Sequence, residues 1–183
     1  MSRMIDLTAL TYMVIDDSRY ARSFIKNALF TYDLRQVVEA PDGAAGLEIL
    51  REQRVDVILL DNEMPILNGI DFTLLVRKGE AGRQNEEIPI IMVSGQNDSR
   101  SVIDARNAGI HDFLIKPVSA EGLFRRIHQN IYHPRPFIRM PGYIGPCRRQ
   151  MHLTPPGGVD RRRTAAPRGL PQPSPASLKP SSP

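Results

Sequence analysis

The feature that most constrains this chain is an alternation. Five short apolar runs, at residues 12–15, 36–39, 55–60, 88–93 and 112–115, are separated by segments of helical periodicity. Phe24, Ile25, Ala28 and Leu29 recur at helical spacing, as do Ala44, Leu47 and Leu50, and Leu123, Phe124 and Ile127. Strand-length runs alternating with amphipathic helices build βα units around a parallel sheet. The third run, VDVILL, is apolar almost throughout, as a central strand covered by helices on both faces must be. Asp42-Gly43, Asn68-Gly69 and the polar residues 79–87 read as turns and loops. The expected fold is α/β: a doubly wound, five-stranded parallel sheet in a (βα)5 arrangement, with right-handed crossovers.

Composition changes near residue 133. Of the 16 prolines, 12 lie in residues 134–183, where helical and strand periodicity stop. Residues 1–133 carry 15 Lys and Arg against 19 Asp and Glu, and residues 134–183 carry 9 against 1. The net +4 of the whole chain therefore belongs to the tail, on an acidic domain. The expected organisation is a leader at 1–9, a globular domain at 10–133 and a largely disordered Pro/Arg-rich tail at 134–183. Residues 135–150 are an exception within that tail, because Phe137, Ile138, Tyr143 and Ile144 interleave with arginines. Phe137 and Tyr143 are its expected anchors on a partner or on its own domain, and truncation after His133 is expected to leave a stable domain.

A single cysteine, Cys147, excludes an internal disulfide and suits a reducing compartment, so a cytoplasmic location is expected. No stretch approaches the roughly 18 apolar residues of a membrane helix, and the N-terminus lacks a signal-peptide core.

The carboxyl ends of the five runs hold the chemistry. Asp16 and Asp17 follow the first, Asp61 the third, Ser94 the fourth and Lys116 the fifth. In open parallel sheets this edge is where ligands bind. Carboxylates converging there would repel one another unless a cation sat among them, and Mg²⁺, which takes oxygen ligands and keeps waters, is the natural choice. With that charge neutralised, Asp61 is placed to attack a phosphoryl group.

Four segments in order, VIDDSR, LLDNEMPILNGID, PIIMVSG and AGIHDFLIKP, resemble the receiver domain of two-component response regulators over about residues 10–133. The resemblance implies the flavodoxin-like form of the fold, with Asp61 as phosphoacceptor. It further implies Asp17 and the backbone carbonyl of Glu63 as direct Mg²⁺ ligands, with Asp16 acting through water. Lys116 would pair with a phosphoryl oxygen, Ser94 would supply the switching hydroxyl and Phe113 the switching aromatic, and Pro117 would follow a cis bond. Phe113 lacks the hydroxyl that a tyrosine would offer there. The implied partners are a histidine kinase or histidine-phosphotransfer protein upstream and an unidentified protein downstream. Slow self-dephosphorylation is implied, with no separate enzymatic output.

Taken singly these residues have plainer readings. Asp16-Asp17-Ser18 is a helix cap, Ser94-Gly95 a turn, Lys116 a surface charge and Phe113 a core aromatic. Their order along the chain is what argues for more. Cys147, His111, His128, His133 and His152 show no metal-ligand spacing. Arg161, Arg162 and Arg163 suit a solvated or partner-bound segment better than nucleic acid. Two other functions compete. A transcriptional regulator using the basic tail would need a helical module beyond residue 133, where no apolar helical period exists. An aspartyl-phosphate phosphohydrolase of the dehalogenase type would need D-x-D-x-T, whereas the chain reads Asp61-Asn62-Glu63-Met64-Pro65.

Overall fold

A computed structural model describes residues 5–95 and 98–149. Residues 1–4 of the leader and residues 150–183 of the tail lie outside this range, with Gln96 and Asn97. The five expected units are present. In chain order they are β1 (Tyr12–Ile15), α1 (Arg19–Phe30), β2 (Val37–Ala40), α2 (Gly43–Glu52), β3 (Val57–Leu60), α3 (Gly69–Arg77), β4 (Ile90–Ser94), α4 (Ser99–Ala108), β5 (Asp112–Ile115) and α5 (Ala120–Tyr132). All strand pairs are parallel, in the order β2-β1-β3-β4-β5. This is the flavodoxin-like order, whose reversal point lies between β1 and β3.

Strand alternation divides the core. Met13, Ile15, Ile58, Leu60, Ile90 and Met92 face one way and pack with Leu47, Leu50 and Phe72. Tyr12, Val14, Val57, Leu59, Ile91 and Val93 face the other and pack with Ile25, Leu29, Leu123 and Ile127. The period of two thus gives each face its own apolar layer, and the sheet is covered on both sides. Side chains of Ser18, Asp42, Asn68, Asp98 and Ser119 cap the five helices, each contributing about 1 kcal/mol. Phe24, expected on the buried face of α1, is instead half exposed, because Ile25, Ala28 and Leu29 fill a narrower stripe. Ala44 is also exposed, and Gly43 and Gly46 take its place in the contact face of α2.

The chain departs from the sequence reading at both ends of the domain. Asp6 caps a 3-10 turn at Leu7–Ala9, Leu7 is buried, and the Tyr132 hydroxyl donates to the Ile5 carbonyl. Residues 5–9 are thus part of the packed structure. Beyond α5, strands β6 (Phe137–Met140) and β7 (Tyr143–Pro146) form an antiparallel hairpin. The compact unit runs to Arg148, so the domain boundary expected at 133 falls short of it.

The hairpin covers a buried arginine. Arg77, at the end of α3, is 1% exposed. It donates to the carbonyls of Gly109 and Glu86 at 2.9 and 2.8 Å, and its Nη2 lies 3.2 Å from His111 Nδ1. Phe137 lies over its guanidinium, and Tyr143 is buried beside the hairpin's own Pro146 carbonyl, to which its hydroxyl donates. Arg135 donates to the His111 carbonyl, and Arg139 pairs with Glu86 and Glu87. Backbones meet where Gly145 crosses Gly109: a Cβ on Gly145 would sit 2.7 Å from the Gly109 Cα. Burial lowers the Arg77 pKa to about 9, which leaves it cationic at neutral pH.

Two predictions arise here. Truncation after His133 is expected to destabilise the domain by about 2–4 kcal/mol, since burying one large side chain such as Tyr143 contributes about 1.5–3 kcal/mol. Urea denaturation of the truncated and full chains measures this, and equal midpoints would show that the hairpin adds nothing. The second concerns His111, whose Nδ1 faces both Arg77 and the Ile90 amide, so it must be an acceptor and the ring neutral. Burial, then the charges of Arg77 and Arg135, hold its pKa well below 6.5. The unfolded chain therefore binds the extra proton first. Stability should be flat above about pH 6.5 and fall as pH drops below it. Urea midpoints for wild type and His111→Asn across this range test the sign, and identical acid slopes would refute it.

Candidate functional site

The register brings the acidic loop ends together. Ile15 pairs with Leu60, so Asp16 and Asp61, one residue further along each strand, stand side by side, and the Asp61 amide donates to the Ile15 carbonyl. On the next strands Ser94 pairs with Ile115, and the Lys116 amide donates to the Ser94 carbonyl. Asp16, Asp61 and Ser94 are buried, at 1%, 5% and 0% exposure.

Lys116 closes the cluster. Its Nζ lies 2.7 Å from Asp16 Oδ2 and 2.6 Å from Asp61 Oδ1. The remaining carboxylate oxygens accept main-chain amides, Asp16 Oδ1 from Ser18 and Asp61 Oδ2 from Glu63. The Lys116–Pro117 peptide is cis, as expected. Burial, and then the charge of Asp16, push the Asp61 carboxyl above its ordinary range against the pull of Lys116 and the Glu63 amide. Burial opposes the charge on Lys116, but its bonds to Asp16 and Asp61 outweigh this and raise its pKa. The result is a basic carboxylate beside a firmly cationic lysine.

Asp17 and the Glu63 side chain are exposed at the rim. Of the three carboxylates that the sequence grouped at this edge, Lys116 bonds two, Asp16 and Asp61. Their charge is balanced by Lys116. Among the described residues no three His, Cys, Asp or Glu side chains form a metal-holding group. The donors available at this edge are all oxygens: the carboxylates of Asp16, Asp17 and Asp61 and the main chain of Glu63. That set fits a hard cation held by one or two carboxylates and water, and it does not suit a softer metal.

Phe113 is half buried on β5, paired in register with Met92 and packed against the layer that contains it. Phe137 and Tyr143 belong to the hairpin and lie away from this cluster, against Arg77 and Arg148. His152 and Arg161–Arg163 lie outside the described residues. The sequence reading missed two supports of the site. Gly69 opens α3 against the acceptor loop, where a Cβ would sit 2.5 Å from the Asp61 carbonyl oxygen, so the Asn68-Gly69 pair is more than a turn. Arg22 donates to the Asp16 carbonyl at 2.7 Å, and its position one turn after the Ser18 cap was the available signal.

Residues 12–128 match the response regulator receiver domain family. The chain belongs to this family. Among similar receivers, the chemotaxis protein CheY homolog of Campylobacter jejuni is 34% identical over 116 residues, which cover 63% of this chain and 87% of that protein. The CAI-1 autoinducer sensor kinase/phosphatase CqsS of Vibrio cholerae is 32% identical over 115 residues, 63% of this chain but only 16% of the kinase. Among solved receivers, chemotaxis protein CheY4 of Vibrio cholerae superposes with a TM-score of 0.60 at 25% identity, covering 66% of this chain and 97% of that one. The receiver domain of the Pseudomonas aeruginosa sensor histidine kinase PA1611, solved with a magnesium ion in its active-site cleft, gives 0.58 at 25% identity, with the same coverages. The hairpin lies beyond the residues matched to the receiver family. No helix among the described residues is long and apolar enough to cross a membrane.

Proposed function

We propose that this receiver accepts a phosphoryl group on Asp61 from a phosphohistidine of a histidine kinase or phosphotransfer protein, and that phosphorylation alters its contacts with a downstream protein. One observation carries the reading: Lys116 spans Asp16 and Asp61 at adjacent strand ends, which builds a nucleophilic carboxylate and a cation into one buried cluster. A carboxylate oxygen of Asp61 forms the O–P bond as the N–P bond of the donor breaks, and the leaving imidazole keeps the bond's electron pair. Lys116 then pairs with a phosphoryl oxygen, its ties to Asp16 and Asp61 being replaced by a stronger anion. The Ser94 hydroxyl donates to the phosphoryl group, and Phe113 packs inward behind it. The protein acts as a switch in signalling, with slow hydrolysis of its own phospho-aspartate as its only turnover.

Asp17, Asp61 and the Glu63 carbonyl would hold Mg²⁺ directly and Asp16 through water, and the ion would supply charge neutralisation for the incoming phosphoryl oxygens. Output by contact is favoured over DNA binding because the described chain after α5 folds as a hairpin and contains no helix.

The test is labelling by an acyl phosphate with Mg²⁺ and with a chelator. Chelation is expected to reduce incorporation to background, and chelator-resistant labelling would contradict the reading. Asp16→Asn should weaken Mg²⁺ binding by roughly 10–100-fold, as loss of an outer-sphere partner does. Asp17→Asn should weaken it more, and comparable losses would refute the direct-ligand ranking.

A further inference from the structure

The loop that carries Asp16 and Asp17 has a support of its own. Its two carbonyls face back toward α1, where Arg22 Nη1 lies 2.7 Å from the Asp16 oxygen and 3.5 Å from that of Asp17. Arg22 reaches them because Ser18 starts the helix and the Arg22 amide donates to the Ser18 carbonyl, so the side chain folds under the loop. The guanidinium is mostly buried, at 14% side-chain exposure, and its Nε lies 3.3 Å from Glu39 Oε2.

Glu39 belongs to β2 and pairs in register with Val14 of β1, so it is fixed to the strand that ends at the acidic loop. Lys26 holds its other oxygen at 2.9 Å. The hydrogen bond from Lys26 leads in keeping the Glu39 carboxyl below its ordinary range, with Arg22 adding to it, so Glu39 is ionised. Arg22 is thereby tied at one edge to the sheet and at the other to the loop.

The chemistry of this bridge suits a cation site. Two adjacent carboxylates repel, and the loop that presents them must be held or it splays. Drawing the carbonyls toward α1 leaves the Asp16 carboxylate on the opposite, cleft side, where it meets Ser18 and Lys116. A bare arginine this close would also oppose a metal ion. Glu39, which Arg22 shares with Lys26, offsets part of that charge, so the bridge orients the loop with less opposition to a cation than a bare arginine would bring.

We infer that Arg22, anchored by Glu39, is a positioning residue that sets the affinity of the Asp16–Asp17 loop for a divalent cation. This rests on the cation site proposed above. Lysine cannot replace it fully, because one ammonium lacks the planar fork that reaches two carbonyls and a carboxylate together.

The experiment uses the full chain and two readouts. The first is the Mg²⁺ concentration for half-maximal labelling of Asp61 by acetyl phosphate, with the maximal rate at saturating Mg²⁺ measured separately. The second is the Mg²⁺-induced rise in melting temperature, which needs no phosphoryl transfer. Arg22→Ala is expected to raise the half-saturating Mg²⁺ by roughly 10–100-fold, the usual effect of losing a group that orients a ligand. Its maximal rate should stay within about threefold of wild type, as loss of binding alone requires. Arg22→Lys and Glu39→Gln should fall between. An unchanged Mg²⁺ requirement in Arg22→Ala, with or without a lower melting temperature, would overturn the inference, as would a fall in maximal rate alone. If wild type is stabilised by Mg²⁺ but takes no label, the phosphoacceptor reading fails and the melting series still decides Arg22. If Mg²⁺ neither stabilises wild type nor is needed for labelling, both fall.

Discussion

Replacing Lys116 by alanine is expected to slow phosphoryl transfer to Asp61 by roughly 10²–10³-fold, the usual cost of removing one preorganised group that meets developing charge. The reason lies in the site's electrostatics. Asp16 and Asp61 are buried side by side, and Lys116 is the cation within hydrogen-bond distance of both. It is held charged by those contacts and is in place before the phosphoryl group arrives. Mg²⁺ binding should survive, because Lys116 supplies no oxygen ligand. Rates from an acyl phosphate at saturating Mg²⁺, with Mg²⁺ affinity measured alongside, separate the two effects. A rate within about threefold of wild type would deny Lys116 this role. Ser94→Ala, by contrast, should leave acceptance largely intact and mainly uncouple the switch, seen as Phe113 ring signals that no longer differ between the two phosphorylation states.

Much of the fold was legible because its signals are local. The run VDVILL ends where β3 ends, and Asp61 follows directly, so a strand's carboxyl edge could be read residue by residue. The same logic placed Asp16, Ser94 and Lys116 on one edge. What could not be read is how Lys116 reaches Asp16 across 100 residues of chain, since that depends on strand order and register. The sequence also grouped Asp17 with these residues; its side chain is exposed, and Lys116 bonds Asp16 and Asp61.

The hairpin was the larger miss. Four prolines between residues 134 and 146 and the surrounding arginines made this stretch resemble the disordered composition that follows it. A turn signal was present: Pro141-Gly142 sits between β6 and β7, with Gly142 at φ 80°, as a type II turn requires of its third residue. Arg77 was illegible for a related reason. A basic residue in a helix's last turn ordinarily faces water, and partners distant in sequence, Glu86, Gly109, His111 and the hairpin's Phe137, are what surround it here.

The central claim is that Asp61 accepts the phosphoryl group, and the most direct test is mass spectrometry of the intact chain after incubation with an acyl phosphate and Mg²⁺. Asp61 is a buried carboxylate at the end of the central strand, bonded to Lys116 and to an amide at 2.6 Å, so one phosphoryl group is expected, labile to hydroxylamine as an acyl phosphate is. Asp61→Ala should show none. Undiminished incorporation in that variant, or a label mapped to Asp16 or Asp17 in the wild type, would contradict the account.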